Sequence, residues 1–214
     1  MEGRALVMNL LALLCAAVSR FGDREGVSRL LPMAPCSCGD WGRWHDNQKV
    51  TPGCCVAQTV YVLKSIVSVL ETHGIPYTLD GGTLLGAQRC GKMIPWDYDA
   101  DLTAYAEPEV FERARRQWTS SWDSSMPRVT GAWGDVGSTS VGDVHIDIGN
   151  QVGIAPKLEH CLFHGRVMTC LANSSQHLSK IYGTNWRTPR RWCNWSEVRL
   201  CAQPLARDVQ NMCT

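Results

Sequence analysis

Apolar residues recur at helical spacing shortly after the first quarter of the chain. The residues that repeat at intervals of three or four are Val56, Val60, Leu63, Val67 and Leu70. This spacing places them on one face of a helix. Gly74 follows where a helix commonly ends. The pattern predicts a helix over residues 55–73.

Shorter elements follow this helix. Residues 75–79 are β-prone and run into a Gly-Gly-Thr turn that opens a short helix over residues 83–88. Residues 96–104 and 143–149 alternate as strands do, and an amphipathic helix over residues 107–118 begins near Pro108. A β-prone stretch over residues 163–169 precedes a helix over residues 175–182. Residues 119–142 predict a loop with weak strands.

The two ends of the chain lack this periodicity. Arg4 precedes an apolar run over residues 5–18, and Ala17 with Ser19 matches the small-residue pattern of a signal-peptidase site. The run is shorter than the roughly 20 residues that span a bilayer. We therefore expect residues 1–19 to be a signal peptide, with a retained signal anchor as the alternative. Residues 20–53 form an irregular Cys-, Gly- and Pro-rich segment, and residues 190–214 form a cysteine-containing tail.

The cysteine content agrees with an oxidising compartment. Of 11 cysteines only Cys15 lies in the leader, which leaves an even, high count in the rest of the chain. N-x-S/T sequons begin at Asn173 and Asn194. The expected location is the ER or Golgi lumen, or outside the cell. The chain has 21 Lys and Arg against 20 Asp and Glu, and its net charge of +1 gives no indication of electrostatic binding to nucleic acid.

Three acidic residues provide the densest chemical signal. Asp97, Asp99 and Asp101 repeat with the two-residue period of a strand, so the sequence predicts that their carboxylates share one face and repel one another. Such a cluster of hard oxygen ligands favours Mg²⁺ or Mn²⁺. Asp147, in the second alternating segment, is expected to add a carboxylate from a neighbouring strand, with His145 on the same face. A solvated acidic strand is the alternative interpretation.

A glycine turn precedes the acidic residues. Gly81, Gly82 and Thr83 join a β-prone segment to a helix. Bare backbone N–H groups at a helix start, together with the Thr hydroxyl, are typical of phosphate binding. A Gly-Gly turn by itself indicates only a change of chain direction.

The combined stretch DGGTLLGAQRCGKMIPWDYDADL, residues 80–102, resembles the LicD family, which includes the fukutin and fukutin-related proteins. The resemblance continues upstream through the stretch that begins CCVAQ, and downstream through HIDI and residues 163–189. It implies a catalytic domain over residues 54–189 with an α+β, nucleotidyltransferase-like fold of the DNA polymerase β type, in which helices flank a mixed sheet. It also implies transfer of phosphocholine or ribitol phosphate from a CDP-linked donor to a glycan acceptor.

The resemblance also assigns residues to roles. Asp99 and Asp101 are similar to the D-x-D metal ligands, Asp147 to the third ligand, and Asp97 to a supporting or additional one. Residues 81–83 resemble the phosphate loop, and Arg89 and Lys92 are expected either to approach the donor diphosphate or to be solvated helix-end charges. Asp147 is expected to accept the proton of the acceptor, with His145 as a helper or a structural residue.

The remaining cysteines and tryptophans leave alternatives open. Cys54 and Cys55 resemble a paired-cysteine feature of the fukutin-related branch that forms a zinc site, with Cys36 and Cys38 as the upstream partners. The close spacing of that upstream pair departs from zinc patterns, so disulfides are an equal alternative. Cys90 is expected to be a small core residue. Trp186, Trp192 and Trp195 are expected in core packing or the tail rather than in sugar stacking.

The sequence therefore predicts a metal-dependent phosphotransferase. Two other functions are consistent with the same residues. One is a nucleotidyltransferase, in which the nucleotide itself is transferred and pyrophosphate leaves. The other is a secreted glycan-binding module that retains the fold without turnover. A membrane partner is expected only if the leader is retained.

Overall fold

The computed structural model describes residues 50–121, 129–131, 137–141 and 144–188. Four helices and seven strands lie in these ranges. The helices are α1 (Gly53–Thr72), α2 (Gly81–Cys90), α3 (Pro108–Ser121) and α4 (Ser174–Tyr182). The strands are β1 (Tyr77–Leu79), β2 (Asp99–Tyr105), β3 (Val129–Gly131), β4 (Gly137–Val141), β5 (Val144–Gln151), β6 (Leu158–Phe163) and β7 (Arg166–Leu171).

Five of the strands form a mixed sheet in the order β1-β2-β5-β4-β3. Strand β2 is antiparallel to β1 and parallel to β5, whereas β4 pairs antiparallel with both β5 and β3. The register of the parallel pair places Asp101 opposite Asp147 and Asp99 opposite His145. Strands β6 and β7 form a separate antiparallel hairpin. The α+β class expected from the sequence, a mixed sheet flanked by helices, is confirmed.

The alternation of side chains along β2 and β5 places the core residues on one face of the sheet and the aspartates on the other. Ala100, Leu102 and Ala104 on β2 are buried, and on β5 the buried residues are Val144, Ile146 and Ile148. Successive side chains of a strand point to opposite faces. The half-buried residues Asp99, Asp101 and Asp147 therefore emerge together on the other face of the sheet.

Helix α1 supplies much of the core. Its buried face comprises Cys55, Thr59, Val60, Val62, Leu63, Ile66, Val67 and Leu70. The helix packs on β2, β5 and α3, and the indole N–H of Trp118 on α3 donates to Ser65 Oγ at 2.9 Å. Among the described residues, α1 is the one helix long and apolar enough to cross a membrane. Its packing against the sheet accounts for that apolar content.

The β6–β7 hairpin is fastened to the rest of the fold at several points. Within the hairpin, a disulfide joins Cys161 of β6 to Cys170 of β7, whose Cα atoms lie 5.8 Å apart. Arg166 donates to Glu71 Oε2 at 2.6 Å on α1. At the hairpin turn, His164 accepts a hydrogen bond from the Met93 backbone N–H at 2.9 Å through Nε2. The hairpin is thus held against both α1 and the loop that follows α2.

Most predicted elements lie within a few residues of the observed ones, but two expectations were wrong. The predicted strand over residues 96–104 begins at Asp99, and Asp97 lies in the preceding turn, where Thr51 Oγ1 donates to the Asp97 carbonyl at 2.6 Å. Cys90 is half-buried and disulfide-bonded, so it is not a small core residue. Trp186 is buried in the core, as expected.

Several expectations lie outside the described residues. They are the leader over residues 1–19, the irregular segment up to residue 49, the tail from residue 190, and the pair Trp192 and Trp195.

Candidate active site

Three carboxylates converge above the centre of the sheet. Asp99, Asp101 and Asp147 can each present one oxygen such that the three oxygens lie within 4.8 Å of one another. The parallel register of β2 and β5 brings Asp101 and Asp147 side by side although they are far apart in sequence. The structure therefore places together the residues that the sequence grouped as a metal site.

Burial and nearby negative charge disfavour the charged state of two carboxyls here, Asp101 and Asp97. The pKa of Asp101 is raised to about 7 by burial first and then by the charges of Asp99 and Asp147. The pKa of Asp97 is raised well above its ordinary value by burial, by the charge of Asp99 and by a hydrogen bond between the two side chains. Asp97 therefore belongs to the cluster although it precedes the strand. A bound cation would relieve this repulsion.

The glycine turn fits around these carboxylates. The backbone N–H of Gly82 donates to Asp101 Oδ2 at 3.1 Å. A Cβ atom on Gly81 would collide with Oδ2 of Asp101, and a Cβ atom on Gly82 would collide with Oδ2 of Asp97. Gly81 also has a φ of +49°, which side-chain-bearing residues rarely adopt. The two glycines are required here for close approach to the acidic cluster.

Thr83 and Asp80 position the turn. Thr83 is buried, and its Oγ1 accepts a hydrogen bond from the Asp101 backbone N–H at 2.8 Å. This hydroxyl oxygen therefore contacts β2, and its expected contact with phosphate stays a prediction. Asp80 accepts from the Gly81 N–H at 2.8 Å and from Thr103 Oγ1 at 2.9 Å. The two side chains lock the start of α2 onto β2.

The two cations between the motifs interact with other parts of the fold. Arg89 donates to the carbonyls of Trp186 and Thr188, the latter at 3.2 Å, and burial lowers its pKa. Lys92 is exposed, and its charge lowers the pKa of His164 at the hairpin turn. The approach of these two side chains to a donor diphosphate stays a prediction. Arg89 fastens the segment after α4 to α2.

Two further polar side chains border the carboxylates. His145 Nε2 lies 3.0 Å from Asp147 Oδ1, as expected from their shared strand face. The phenol of Tyr182 on α4 is close enough that burial and the charges of Asp101 and Asp97 raise its pKa, so it stays neutral at physiological pH. No sequence pattern marks Tyr182 as a site residue, because its position depends on the packing of α4 against α2.

The cysteine alternatives are partly resolved. Cys54 and Cys55 are disulfide-bonded, and a sulfur in a disulfide is not available as a zinc ligand. The structure therefore favours disulfides at these two positions. Cys36 and Cys38, the proposed partners in a zinc site, lie outside the described residues.

The donor set at the sheet fits a hard divalent cation. Three carboxylate oxygens can converge without a sulfur or imidazole among them, which suits Mg²⁺ or Mn²⁺ better than zinc or copper. The Gly82 N–H steadies one carboxylate from the side of the turn. The residues present are thus compatible with the cation that the sequence predicted.

The fold and site together define a nucleotidyltransferase-type domain, and comparison with known proteins agrees. Residues 74–141 match the family described as LicD/FKTN/FKRP, nucleotidyltransferase domain. Over these residues the resemblance to the LicD family that was found in the sequence is confirmed.

Two curated relatives share this segment. The ribitol 5-phosphate transferase FKRP of Mus musculus is 48% identical over 66 residues, which are 31% of this chain and 12% of that protein. The same transferase of Homo sapiens is 45% identical over 69 residues, or 32% of this chain and 14% of that protein. The matched segment thus spans about one seventh or less of each relative.

Solved structures give a weaker likeness. A crystal structure of ANT(2")-Ia in complex with adenylyl-2"-tobramycin has a TM-score of 0.41 at 19% identity, covering 60% of this chain and 77% of that one. A solution structure of the antibiotic-resistance factor ANT(2'')-Ia has a TM-score of 0.40 at 16% identity, covering 73% and 89%. The fold assignment rests on the sheet and the family match, not on these scores.

Proposed function

We propose that this protein is a divalent-metal-dependent phosphotransferase. It moves a phospho-polyol or phosphocholine group from a CDP-activated donor to a glycan on a protein or lipid. The observation that carries the proposal is the convergence of Asp99, Asp101 and Asp147 beside the Gly81–Gly82 turn. The family match and the ribitol 5-phosphate transferases that share the segment support this substrate class.

The proposed reaction is an in-line displacement at phosphorus. The oxygen of an acceptor hydroxyl forms a bond to the phosphorus that bears the transferred group, while the bond from that phosphorus to the bridging oxygen breaks. CMP leaves with the bonding electrons, and the hydroxyl proton passes to a carboxylate. When bound, Mg²⁺ or Mn²⁺ would supply the positive charge that neutralises the donor phosphates.

The residues of this chain have distinct parts in the proposal. Asp99, Asp101 and Asp147 would hold the cation, with Asp97 as a supporting carboxyl. The Gly82 N–H keeps one oxygen of Asp101 in place. Asp147 would also accept the acceptor proton, and His145, 3.0 Å away, would orient that carboxylate.

We further propose that the protein works in the lumen of the secretory pathway. The apolar leader and the cysteine content support this location, as does the disulfide between Cys161 and Cys170.

Release of CMP tests the reaction. CDP-choline, CDP-ribitol and CDP-glycerol would each be incubated with the purified chain, a glycan acceptor and Mn²⁺, and CMP would be measured by chromatography. We expect release from one of them, and a loss of at least 100-fold in Asp99→Asn and Asp147→Asn, as expected when a metal site is removed. Glu109→Gln, an exposed acid on α3, is the matched control and should retain full activity.

Nucleotidyl transfer is the second candidate, because the matched family model describes a nucleotidyltransferase domain. Pyrophosphate release from CTP or another nucleoside triphosphate, without CMP release from the three CDP donors, would replace the proposed reaction with this one. Binding of a glycan without metal and without either product would instead identify a non-catalytic module on the same fold.

A further inference from the structure

His177 on helix α4 lies close to Asp80, the residue that caps the N-terminus of α2. His177 Nε2 lies 3.4 Å from Asp80 Oδ1, and both side chains are about one third exposed. The Nε2 atom itself is buried and has no hydrogen-bond partner among the described residues. A buried ring nitrogen without a hydrogen bond costs free energy. Asp80 Oδ1 is a polar atom that this nitrogen faces, at ion-pair distance and without a hydrogen bond.

Asp80 connects that histidine to the carboxylate cluster. Its Oδ1 accepts from the Gly81 N–H at 2.8 Å, and its Oδ2 accepts from Thr103 Oγ1 at 2.9 Å on β2. The next residue of the turn, Gly82, donates to Asp101 Oδ2 at 3.1 Å. A displacement of Asp80 would therefore move the N–H that holds the Asp101 carboxylate.

We propose that His177 and Asp80 are a positioning pair that couples helix α4 to the cation site. His177 fixes Asp80 from the side of α4, Asp80 fixes the glycine turn against β2, and the turn fixes Asp101. The pair touches neither cation nor substrate in this scheme. The proposal rests on the proposed function in one respect, namely that the carboxylates hold a divalent cation.

The pair lies partly outside the segment that matches the family model. That match ends at residue 141, whereas His177 lies on α4. Arg89 strengthens the same connection, since it fastens the segment after α4 through the carbonyls of Trp186 and Thr188. On this view α4 is part of the machinery that shapes the site.

The test measures Mn²⁺ affinity by calorimetry on the full chain, together with kcat and KM for whichever donor is turned over. His177→Leu removes the ring nitrogens, and we expect about tenfold weaker Mn²⁺ binding and a similar loss in kcat. Losses of 10–100-fold are typical when the partner that orients a metal ligand is removed. His177→Gln keeps an N–H donor at similar reach and should recover most of the affinity. His160→Leu, an exposed histidine on β6, is the matched control and should bind Mn²⁺ like the wild type.

A purely structural role would give a different result. His177→Leu would then lower the melting temperature while Mn²⁺ affinity, measured well below that temperature, matched the wild type, and this outcome would overturn the proposal. If His177→Leu does not fold, Asp80→Asn combined with His177→Ala answers the same question, because paired residues give losses that are not additive. Additive losses in that cycle would also overturn it.

Failure of the proposed reaction has a separate signature. If no CDP donor yields CMP but the wild-type chain binds Mn²⁺, the affinity comparison still tests the positioning pair. If the wild-type chain binds no Mn²⁺ at all, both the cation site and the pair that is inferred to shape it are refuted.

Discussion

Gly81 shows how one residue combines two constraints. Its positive φ disfavours any side chain, and a Cβ atom would also collide with the Asp101 carboxylate. Gly74 offers a matched comparison, because it has a similar φ of +64° but open space around its Cα. The two positions therefore allow backbone strain to be separated from collision.

We predict that Gly81→Ala and Gly74→Ala each lower the free energy of unfolding by about 1 kcal/mol, the cost of a side chain at positive φ. Only Gly81→Ala should also weaken Mn²⁺ binding, by tenfold or more, because Asp101 must move. Chemical denaturation and calorimetry would measure the two effects. Equal Mn²⁺ affinities in the two variants would contradict the prediction.

Asp101 is predicted to weaken the metal-free fold at neutral pH. Its pKa of about 7 in the folded protein lies above the ordinary 3.8, so the folded chain binds this proton more tightly than the unfolded chain. The stability that the bound proton contributes is present at low pH and is lost as the pH rises from about 4 through 7. Asp101→Asn keeps an acceptor for Gly82 and removes the charge.

At pH 8 without metal, we expect Asp101→Asn to be more stable than the wild type by about 1–3 kcal/mol. Added Mn²⁺ should stabilise the wild type and not the variant. Denaturant unfolding with and without Mn²⁺ is the measurement, and Glu109→Gln should lie within about 0.5 kcal/mol of the wild type under both conditions. A metal-free variant less stable than the wild type would refute the argument.

At the scale of the element, the β6–β7 hairpin is predicted to weaken in acid. Burial, and then the charges of Lys64 and Lys92, lower the pKa of His164 from 6.5 to about 4. The unfolded chain therefore takes up this proton more readily than the folded chain. The stability that neutral His164 contributes is present above pH 6.5 and is lost as the pH falls toward 4.

The measurement compares unfolding free energies of the wild type and His164→Gln at pH 7 and pH 5. The wild type should lose about 1 kcal/mol more than the variant, a value reduced from the full shift because His164 is partly exposed. The comparison cancels the opposite contribution of Asp101, which both proteins share. His160→Gln, on the exposed face of β6, should behave like the wild type.

The same elements show what local sequence can and cannot predict. Helical spacing predicted α1 within two residues at its start and one at its end, because its apolar face is a local pattern. Alternation predicted that Asp101 lies on the same face of its strand as Asp99, and Asp147 on the same face as His145. The two-residue period of a strand is also a local pattern. The start of β2 was misjudged because the hydrogen bond from Thr51 to Asp97 fixes a turn there. The partners of Arg89 could not be predicted from local sequence either, because Trp186 and Thr188 lie about 100 residues away along the chain.

For the whole molecule, the location in the secretory pathway makes a testable prediction at Asn173. This residue begins an N-x-S sequon, is exposed, and its side chain makes no capping hydrogen bond with α4. A folded chain can therefore carry a glycan there without disturbing the helix. The second sequon, at Asn194, lies outside the described residues.

We expect the full chain expressed in human cells to lose mass on treatment with an N-glycosidase, and Asn173→Gln to remove that shift wholly or in part. Ser175→Ala should have the same effect, because the acceptor sequence requires Ser or Thr at the third position. Protease protection in isolated membranes reports the location independently. A protected chain without a glycan at Asn173 would contradict the site alone, whereas an unprotected chain would contradict the lumenal location.

The parallel pairing of β2 with β5 means that the segment that matches the family model does not contain the whole carboxylate triad. The match to the family model ends at residue 141, and the third carboxylate, Asp147, lies on the next strand. A protein cut just after residue 141 would therefore keep the segment that matches the family model, and yet it would lack the strand that completes the acidic triad. Related chains are better sorted by whether an aspartate lies in register with the middle of β2 than by how closely their signature motif agrees.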